Sequence, residues 1–125
     1  IGDIAMRMWM IDPKLLCKKH LLGEHNELHK FKPTFEKHYS IKGRIYPVVQ
    51  IEPNNMKIRH DELVKEMLAR GYNHKSDYEL PDLSYLPDNE RYAKTDKTYN
   101  IKDLMNRCPD CKGRIENYFY KMDRK

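Results

Sequence analysis

The segment from His20 to Phe31, HLLGEHNELHKF, concentrates three histidines and two glutamates within ten positions. Such side chains can bind a metal ion, transfer protons, or lie on the solvated face of a helix. His25 and His29 are four residues apart, so a helix would place both imidazoles on one side. The order of residues is not the HExxH order of zinc proteases, which argues against that kind of site. We therefore interpret the segment mainly as a solvated helix face with favourable pairs such as His20 and Glu24.

A second chemically active group is the sequence CPDC, which contains Cys108 and Cys111. Two cysteines at this spacing can provide half of a zinc site. Cys17 or a histidine would have to complete the ligand set, so a zinc-binding helical protein is one alternative function. We favour reduced thiols without a metal, since no second CxxC pair is present, and we predict no cofactor. The odd number of cysteines and the lack of a recognisable secretory signal favour a reducing cytoplasmic environment.

A third group is the aromatic and basic stretch near the end of the chain, GRIENYFYKMDRK. Tyr118, Phe119 and Tyr120 are consecutive and lie between Arg114 and Lys121. Aromatic side chains can stack on nucleic-acid bases while cations hold phosphates. The net charge of +5 also favours a polyanionic partner. No apolar run is long enough to predict a membrane span.

The first of these groups must be positioned by a helix in the first third of the chain. Asp12 followed by Pro13 is typical of a helix start, with an N-cap and proline at the first helical position. Apolar residues then recur at helical spacing from Leu15 to Phe31. Pro33 is expected to end or kink this helix.

Two further helices are predicted from apolar periodicity. One opens near Pro53 and stops at Gly71, and another begins near Asn100 and is disturbed by Pro109. Residues 39–55 are expected to form an irregular connection. The prediction is an all-α fold: a compact single domain of three main helices with long loops. We expect residues 1–5 to be the remnant of a tag or linker, and 6–125 to form the domain.

The order of HLLGEHNEL, HDELVKEMLARGYNHKS, DLSYLP and a basic third helix resembles the pyrimidine-dimer DNA glycosylase family. ELVKEMLARGYN and the pattern HL-x-x-E-x-x-EL are the most specific parts of the resemblance. It extends roughly over residues 6–121, with a poor match at 39–55. It implies a compact helical monomer that acts on pyrimidine dimers in double-stranded DNA. The implied enzyme is a DNA glycosylase with abasic-site lyase activity, and a catalytically inactive DNA-binding relative is the alternative.

The resemblance also implies a mechanism. The family nucleophile is the α-amine of the first residue, and the residue before Arg7 is here Met6. An α-amine has a pKa near 8, about two units below that of a lysine, so a useful fraction is neutral at physiological pH. Glu27 aligns with the family's catalytic carboxylate. Residues 1–5 would convert the α-amine of Met6 into an amide, so we expect lyase activity only in a chain that begins at Met6.

The family's DNA contacts carry over unevenly to this sequence. Asn26 and Lys30 stand where phage members of the family have arginines, and Cys111 stands where a lysine is expected, beside Lys112. Loss of bidentate arginine contacts should weaken phosphate binding and alter lesion preference. The resemblance implies DNA contacts at Arg7, His20, Asn26, Lys30, Arg107, Lys112, Tyr118, Phe119, Tyr120 and Lys121.

Overall fold

The computed structural model of the protein describes residues 7–74 and 77–123, and every regular element in these ranges is helical. Two 3₁₀ turns, Pro13–Leu15 and Pro53–Asn55, each lie before a long helix. The all-α prediction is therefore confirmed. No helix of the described ranges is long and apolar enough to cross a membrane. The helices are α1 (Lys18–Glu36), α2 (Lys42–Ile45), α3 (Met56–Ala69), α4 (Asp88–Arg91), α5 (Lys97–Arg107) and α6 (Pro109–Asp123).

Helix α1 begins later and ends later than the sequence suggested. Asp12 caps only the first 3₁₀ turn, where its side chain accepts a hydrogen bond from the Lys14 backbone N–H at 3.0 Å. Leu16 and Cys17 then have extended backbone angles, so the α-helix cannot begin before Lys18. Pro33 lies inside α1, which continues to Glu36. A proline removes one backbone hydrogen bond, and here the fully buried Phe35 lies in the turn that follows it.

Helix α3 agrees closely with the predicted second helix. It follows the 3₁₀ turn at Pro53 and ends at Ala69, and Gly71 has φ +87° in the left-handed region that favours glycine. Helix α3 packs against α1 and contributes five buried residues: Met56, Arg59, His60, Leu63 and Met67.

The predicted third helix is divided into α5 and α6. Asp96 caps α5 by accepting a hydrogen bond from the Tyr99 backbone N–H at 3.0 Å. Pro109 cannot continue α5, and it disfavours helical angles at the preceding Cys108, which is extended at φ −132° and ψ 105°. Pro109 is instead the first residue of α6, where its missing N–H costs nothing. The chain therefore changes direction at Cys108.

The segment before α1 is fixed in the interior. Trp9 is buried and its carbonyl accepts a hydrogen bond from the Asn100 side chain at 3.0 Å. Met8 is fully buried and its backbone N–H donates to the Gln50 carbonyl at 2.8 Å. The start of the described chain is thus held against α5 and against the connection that precedes α3.

Candidate nucleic-acid interface and ligand clusters

Two of the predicted DNA-binding arginines, from opposite ends of the sequence, meet around Trp9. Arg7 and Arg107 both contact the Asp103 carboxylate, at 2.6 and 2.9 Å respectively. Their guanidinium carbons lie 5.0 and 5.9 Å from the centroid of the Trp9 ring, within range of a cation–π interaction. About half of the Arg107 side chain remains exposed.

His20 borders the same group, because its ring meets the edge of Trp9 with 5.8 Å between centroids. Burial lowers the pKa of His20, and the positive charges of Lys19 and Arg107 lower it further. The imidazole is therefore neutral at physiological pH.

The predicted catalytic Glu27 lies on the same side of α1 as His20, seven residues and about 10 Å further along the helix axis. Its carboxylate is partly exposed and lies 3.7 Å from Lys30 Nζ. Met6, the predicted nucleophile, lies outside the described residues. Asn26 and Lys30 are both exposed on α1, as DNA contacts require.

The aromatic and basic end of the chain lies on the outer surface of α6. Tyr118, Phe119 and Tyr120 are each between about two fifths and three fifths exposed, and Lys112 and Lys121 are exposed as well. A shallow groove beside them is lined by six residues, of which three are basic: Lys14, Leu15, Arg114, Asn117, Tyr118 and Lys121.

Glu24 is not part of a solvated face, so its predicted pairing with His20 is wrong. Its carboxylate is fully buried and accepts two hydrogen bonds from Arg59, at 2.7 Å from Nε and 2.9 Å from Nη2. Burial raises the pKa of Glu24, and the Arg59 charge and the backbone N–H groups of Trp9 and Met10 oppose this shift. Burial alone would lower the pKa of Arg59, but Glu24 raises it above its ordinary value, so the guanidinium is charged.

The solvated-face interpretation is also wrong for His25 and His29, which are turned towards α3. They form a four-histidine cluster with His60 of α3 and His74 from the chain that follows α3. One nitrogen from each ring can be chosen so that all four lie within 4.8 Å of one another. Burial lowers the pKa of His25 to about 4, and the three neighbouring histidines contribute to this shift.

The three cysteines predicted as candidate metal ligands converge, although they come from distant parts of the chain. Together with His20 they form a Cys3His cluster. Cys17 Sγ lies 3.8 Å from Cys108 Sγ and 3.2 Å from His20 Nδ1. Cys111 Sγ lies 3.5 Å from the same nitrogen.

Backbone groups also point at the sulfur atoms of the Cys3His cluster. The Cys17 N–H donates to Cys111 Sγ at 3.2 Å, and the Cys111 N–H donates to Cys108 Sγ at 3.4 Å. Burial alone would raise the pKa of Cys108, but the hydrogen bonds it accepts from Cys111 and its neighbours lower it. Burial raises the pKa of Cys111. The cluster thus combines thiol groups with donors that favour a thiolate at one of them.

Sequence reasoning missed His60 and His74 as partners of the histidines in α1. The available signal was the spacing of His60, Leu63 and Met67, which places all three on the buried side of α3. A buried histidine there needs a polar partner, and the segment HLLGEHNELHKF was an evident source.

The family model for pyrimidine dimer DNA glycosylase matches residues 6–80, which is more than half of the 125-residue chain. The chain belongs to the pyrimidine dimer DNA glycosylase family. Neither the curated proteins nor the solved structures contain a match to it. The matched range covers α1, α3 and the four-histidine cluster, and it ends before α5 and α6. Family membership indicates a DNA glycosylase of DNA repair, whose substrate is DNA.

Proposed function

We propose that the protein acts on pyrimidine dimers in duplex DNA, cleaving a glycosidic bond of the dimer as a glycosylase and the resulting abasic site as a lyase. The observation that carries the proposal furthest is the group of Arg7, Arg107 and Trp9, which joins the start of the domain to α5. Arg7 directly follows Met6 in the sequence, so this group holds the residue next to the proposed nucleophile. Phosphates of a damaged strand would be held there.

The chemistry requires an amine and a carboxylate. The neutral α-amine of Met6 attacks C1′ of the damaged nucleotide, and the glycosidic bond breaks with its electrons going to the base nitrogen. The displaced base stays joined to the other pyrimidine of the dimer. The sugar ring opens to give an imine between Met6 and C1′. Removal of a proton from C2′ then expels the 3′ phosphate by β-elimination. Glu27 stabilises the cationic sugar and assists the proton transfers.

Access to C1′ requires local opening of the duplex. A pyrimidine dimer already weakens stacking and pairing, so opening costs less there than at an undamaged site. The exposed aromatic residues of α6 supply stacking faces, and neighbouring lysines supply phosphate contacts. The neutral His20 contacts Trp9, so we place it as support for the arginine group.

The test uses a chain that begins at Met6, duplex DNA with a cyclobutane dimer or an abasic site, and borohydride. An imine is reduced to a stable protein–DNA adduct, which we expect to map to the α-amine of Met6. The 125-residue chain, with residues 1–5 in place, should give no adduct. Full activity of the longer chain would contradict the assignment of Met6.

Glu27→Gln tests the carboxylate. We expect it to lose glycosidic cleavage of the dimer by at least about 100-fold, which is the scale typical of a lost acid–base group. Glu36→Gln is the matched control, since Glu36 is exposed at the end of the same helix. DNA binding without any adduct on either substrate would instead identify a catalytically inactive relative.

A further inference from the structure

We propose that the Cys3His cluster (Cys17, His20, Cys108 and Cys111) is a structural zinc site. Zinc in such sites is tetrahedral, with bonds of about 2.3 Å to sulfur and about 2.0 Å to nitrogen, so ligand atoms lie about 3.8 Å (sulfur–sulfur) and about 3.5 Å (sulfur–nitrogen) apart. The observed sulfur–sulfur distance is 3.8 Å, and the two sulfur–nitrogen distances are 3.2 and 3.5 Å. These are three of the six distances among the ligand atoms, and all four atoms lie within 4.8 Å of one another, which is close to the spacing that one zinc ion requires.

The surroundings of the cluster fit a thiolate site better than three inert thiols. Two backbone N–H groups donate to sulfur atoms, which stabilises negative charge on them. All three cysteines are buried and reduced, and the sulfur atoms of Cys17 and Cys108 are too far apart for a disulfide. The ligands lie at the start of α1 and on both sides of the turn between α5 and α6. Zinc would therefore fasten the helices that carry Arg107 and the aromatic end to the first helix.

Cobalt(II) in place of zinc tests this site in the full 125-residue chain. We expect a thiolate-to-cobalt charge-transfer band in the near ultraviolet and strong visible bands of a tetrahedral ion. Cys108→Ser/Cys111→Ser should abolish the charge-transfer band, and Asp110→Asn, an exposed position between the two cysteines, should retain it. Absence of the band in the reduced parent chain, or its persistence in the double variant, would overturn the proposal.

A second readout does not depend on folding of the cysteine variant. The parent chain is loaded with zinc and titrated with an organomercurial that reacts with thiols, while a chromogenic chelator reports released zinc. Release of one equivalent as three thiols react supports the site. Reaction of the thiols without zinc release rules it out.

The four-histidine cluster (His25, His29, His60 and His74) carries an independent inference: we infer that it binds a divalent first-row transition ion through imidazole nitrogens. His29 Nε2 and His60 Nε2 face each other at 3.2 Å. For two ligands of a tetrahedral ion at about 2.1 Å, the expected separation is about 3.4 Å. His25 Nε2 and His74 Nε2 are buried and have no hydrogen-bond partner among the described residues.

The protonation of His60 supports this assignment. Its Nδ1 is 3.0 Å from the Asp61 carboxylate, which can only accept, so Nδ1 carries the hydrogen. The other nitrogen, Nε2, faces His29 Nε2 at 3.2 Å and can offer its lone pair to a metal ion. A carboxylate behind a ligating histidine is the usual arrangement for fixing a metal-binding imidazole. Imidazole ligands without carboxylates suit zinc, copper, nickel or iron ions rather than magnesium or calcium.

Protection of histidines from diethylpyrocarbonate tests the second site in the parent chain. Mass spectrometry would map the modified histidines with and without added zinc. We expect zinc to protect His29 and His74, the two partly exposed members of the four-histidine cluster, while His38, exposed and outside both clusters, is modified in both samples. Equal modification of the cluster with and without zinc would overturn this inference.

Metal content provides the matched comparison for the second site. The parent chain should retain two equivalents of zinc after dialysis, and His29→Gln/His60→Gln should retain one, with its cobalt charge-transfer band intact. His38→Gln is the control and should retain two. Two equivalents in the double histidine variant would contradict the inference.

Discussion

At the residue scale, the Glu24–Arg59 pair is the most deeply buried ion pair among the described residues. Both side chains are almost completely inaccessible. The Arg59 guanidinium also donates to the Ile11 carbonyl at 2.7 Å, and it lies 3.2 Å from Glu62. The pair therefore connects α1, α3 and the segment that leads to the predicted nucleophile.

We predict that Glu24→Gln lowers the free energy of unfolding by about 3–5 kcal/mol, because it leaves the Arg59 charge buried without its counter-ion. Urea denaturation of the parent chain and the variant gives this difference. A loss of that size is a large part of the total stability of a small domain.

Glu62→Gln is the control for that prediction. Glu62 contacts the same guanidinium, but half of its side chain is exposed, so its loss should cost less than about 1 kcal/mol. Equal losses from the two variants would show that burial does not decide the strength of this pair.

The contrast between Glu24 and Glu27 shows what could be predicted for single residues. The resemblance assigned a catalytic role to Glu27, and helical spacing paired Glu24 with His20. Of the two glutamates only Glu24 is buried. Spacing alone could not reveal its partner, because Arg59 comes from another helix, 35 residues away. The same limit applies to the histidines, whose partners lie on α3 and beyond it.

At the element scale, helix ends decide how the functional groups are positioned. The helical spacing of apolar residues in α1 and α3 could be recognised in the sequence because each helix has one buried face. The separation of α5 from α6 was only half predicted, since Pro109 can be recognised as a breaker but not as the start of another helix. The direction that the chain takes at Cys108 depends on what α5 and α6 pack against. It therefore cannot be predicted from the local sequence.

Glycines in and after helices provide a test at this scale. Gly71 has φ +87°, so Gly71→Ala should lower the free energy of unfolding by about 1–2 kcal/mol. Gly23 lies inside α1, and no neighbouring atom is within 4 Å of the position that a Cβ would occupy. Gly23→Ala should therefore raise the free energy of unfolding by about 0.5–1 kcal/mol. Urea denaturation of both variants checks the opposite signs, and changes of the same sign would contradict either the helical position of Gly23 or the left-handed conformation of Gly71.

At the scale of the whole molecule, the two proposed metal sites and the buried ion pair connect three parts of the chain. The four-histidine cluster joins α1 to α3, and the Cys3His cluster joins α1 to α5 and α6. Helix α1 is thus the common element, and it also carries Glu27, Asn26 and Lys30. If both sites bind metal, the arrangement would fix the helix that carries the proposed DNA contacts from two sides, which suits a site that must align an amine and a carboxylate on one sugar.

The net charge of +5 predicts that DNA binding weakens with salt, and the slope reports the number of phosphates contacted. Each lysine that holds a phosphate should contribute about 0.9 to the slope of log affinity against log salt. Lys30→Gln/Lys121→Gln should therefore reduce the slope by about 2 on a duplex with an uncleavable abasic-site analogue.

The matched control for the salt prediction is Lys57→Gln. Lys57 is paired with Asp61 at 3.2 Å and lies on α3, outside the proposed interface. Its slope should equal that of the parent chain, since a lysine that holds no phosphate displaces no counterion from DNA. The contrary result is that Lys57→Gln and the double variant reduce the slope by the same amount for each lysine replaced. DNA would then respond to the overall positive charge of the protein rather than to particular lysines. The interface along α1 and α6 would then be wrong, because DNA would not distinguish its lysines from those elsewhere on the surface.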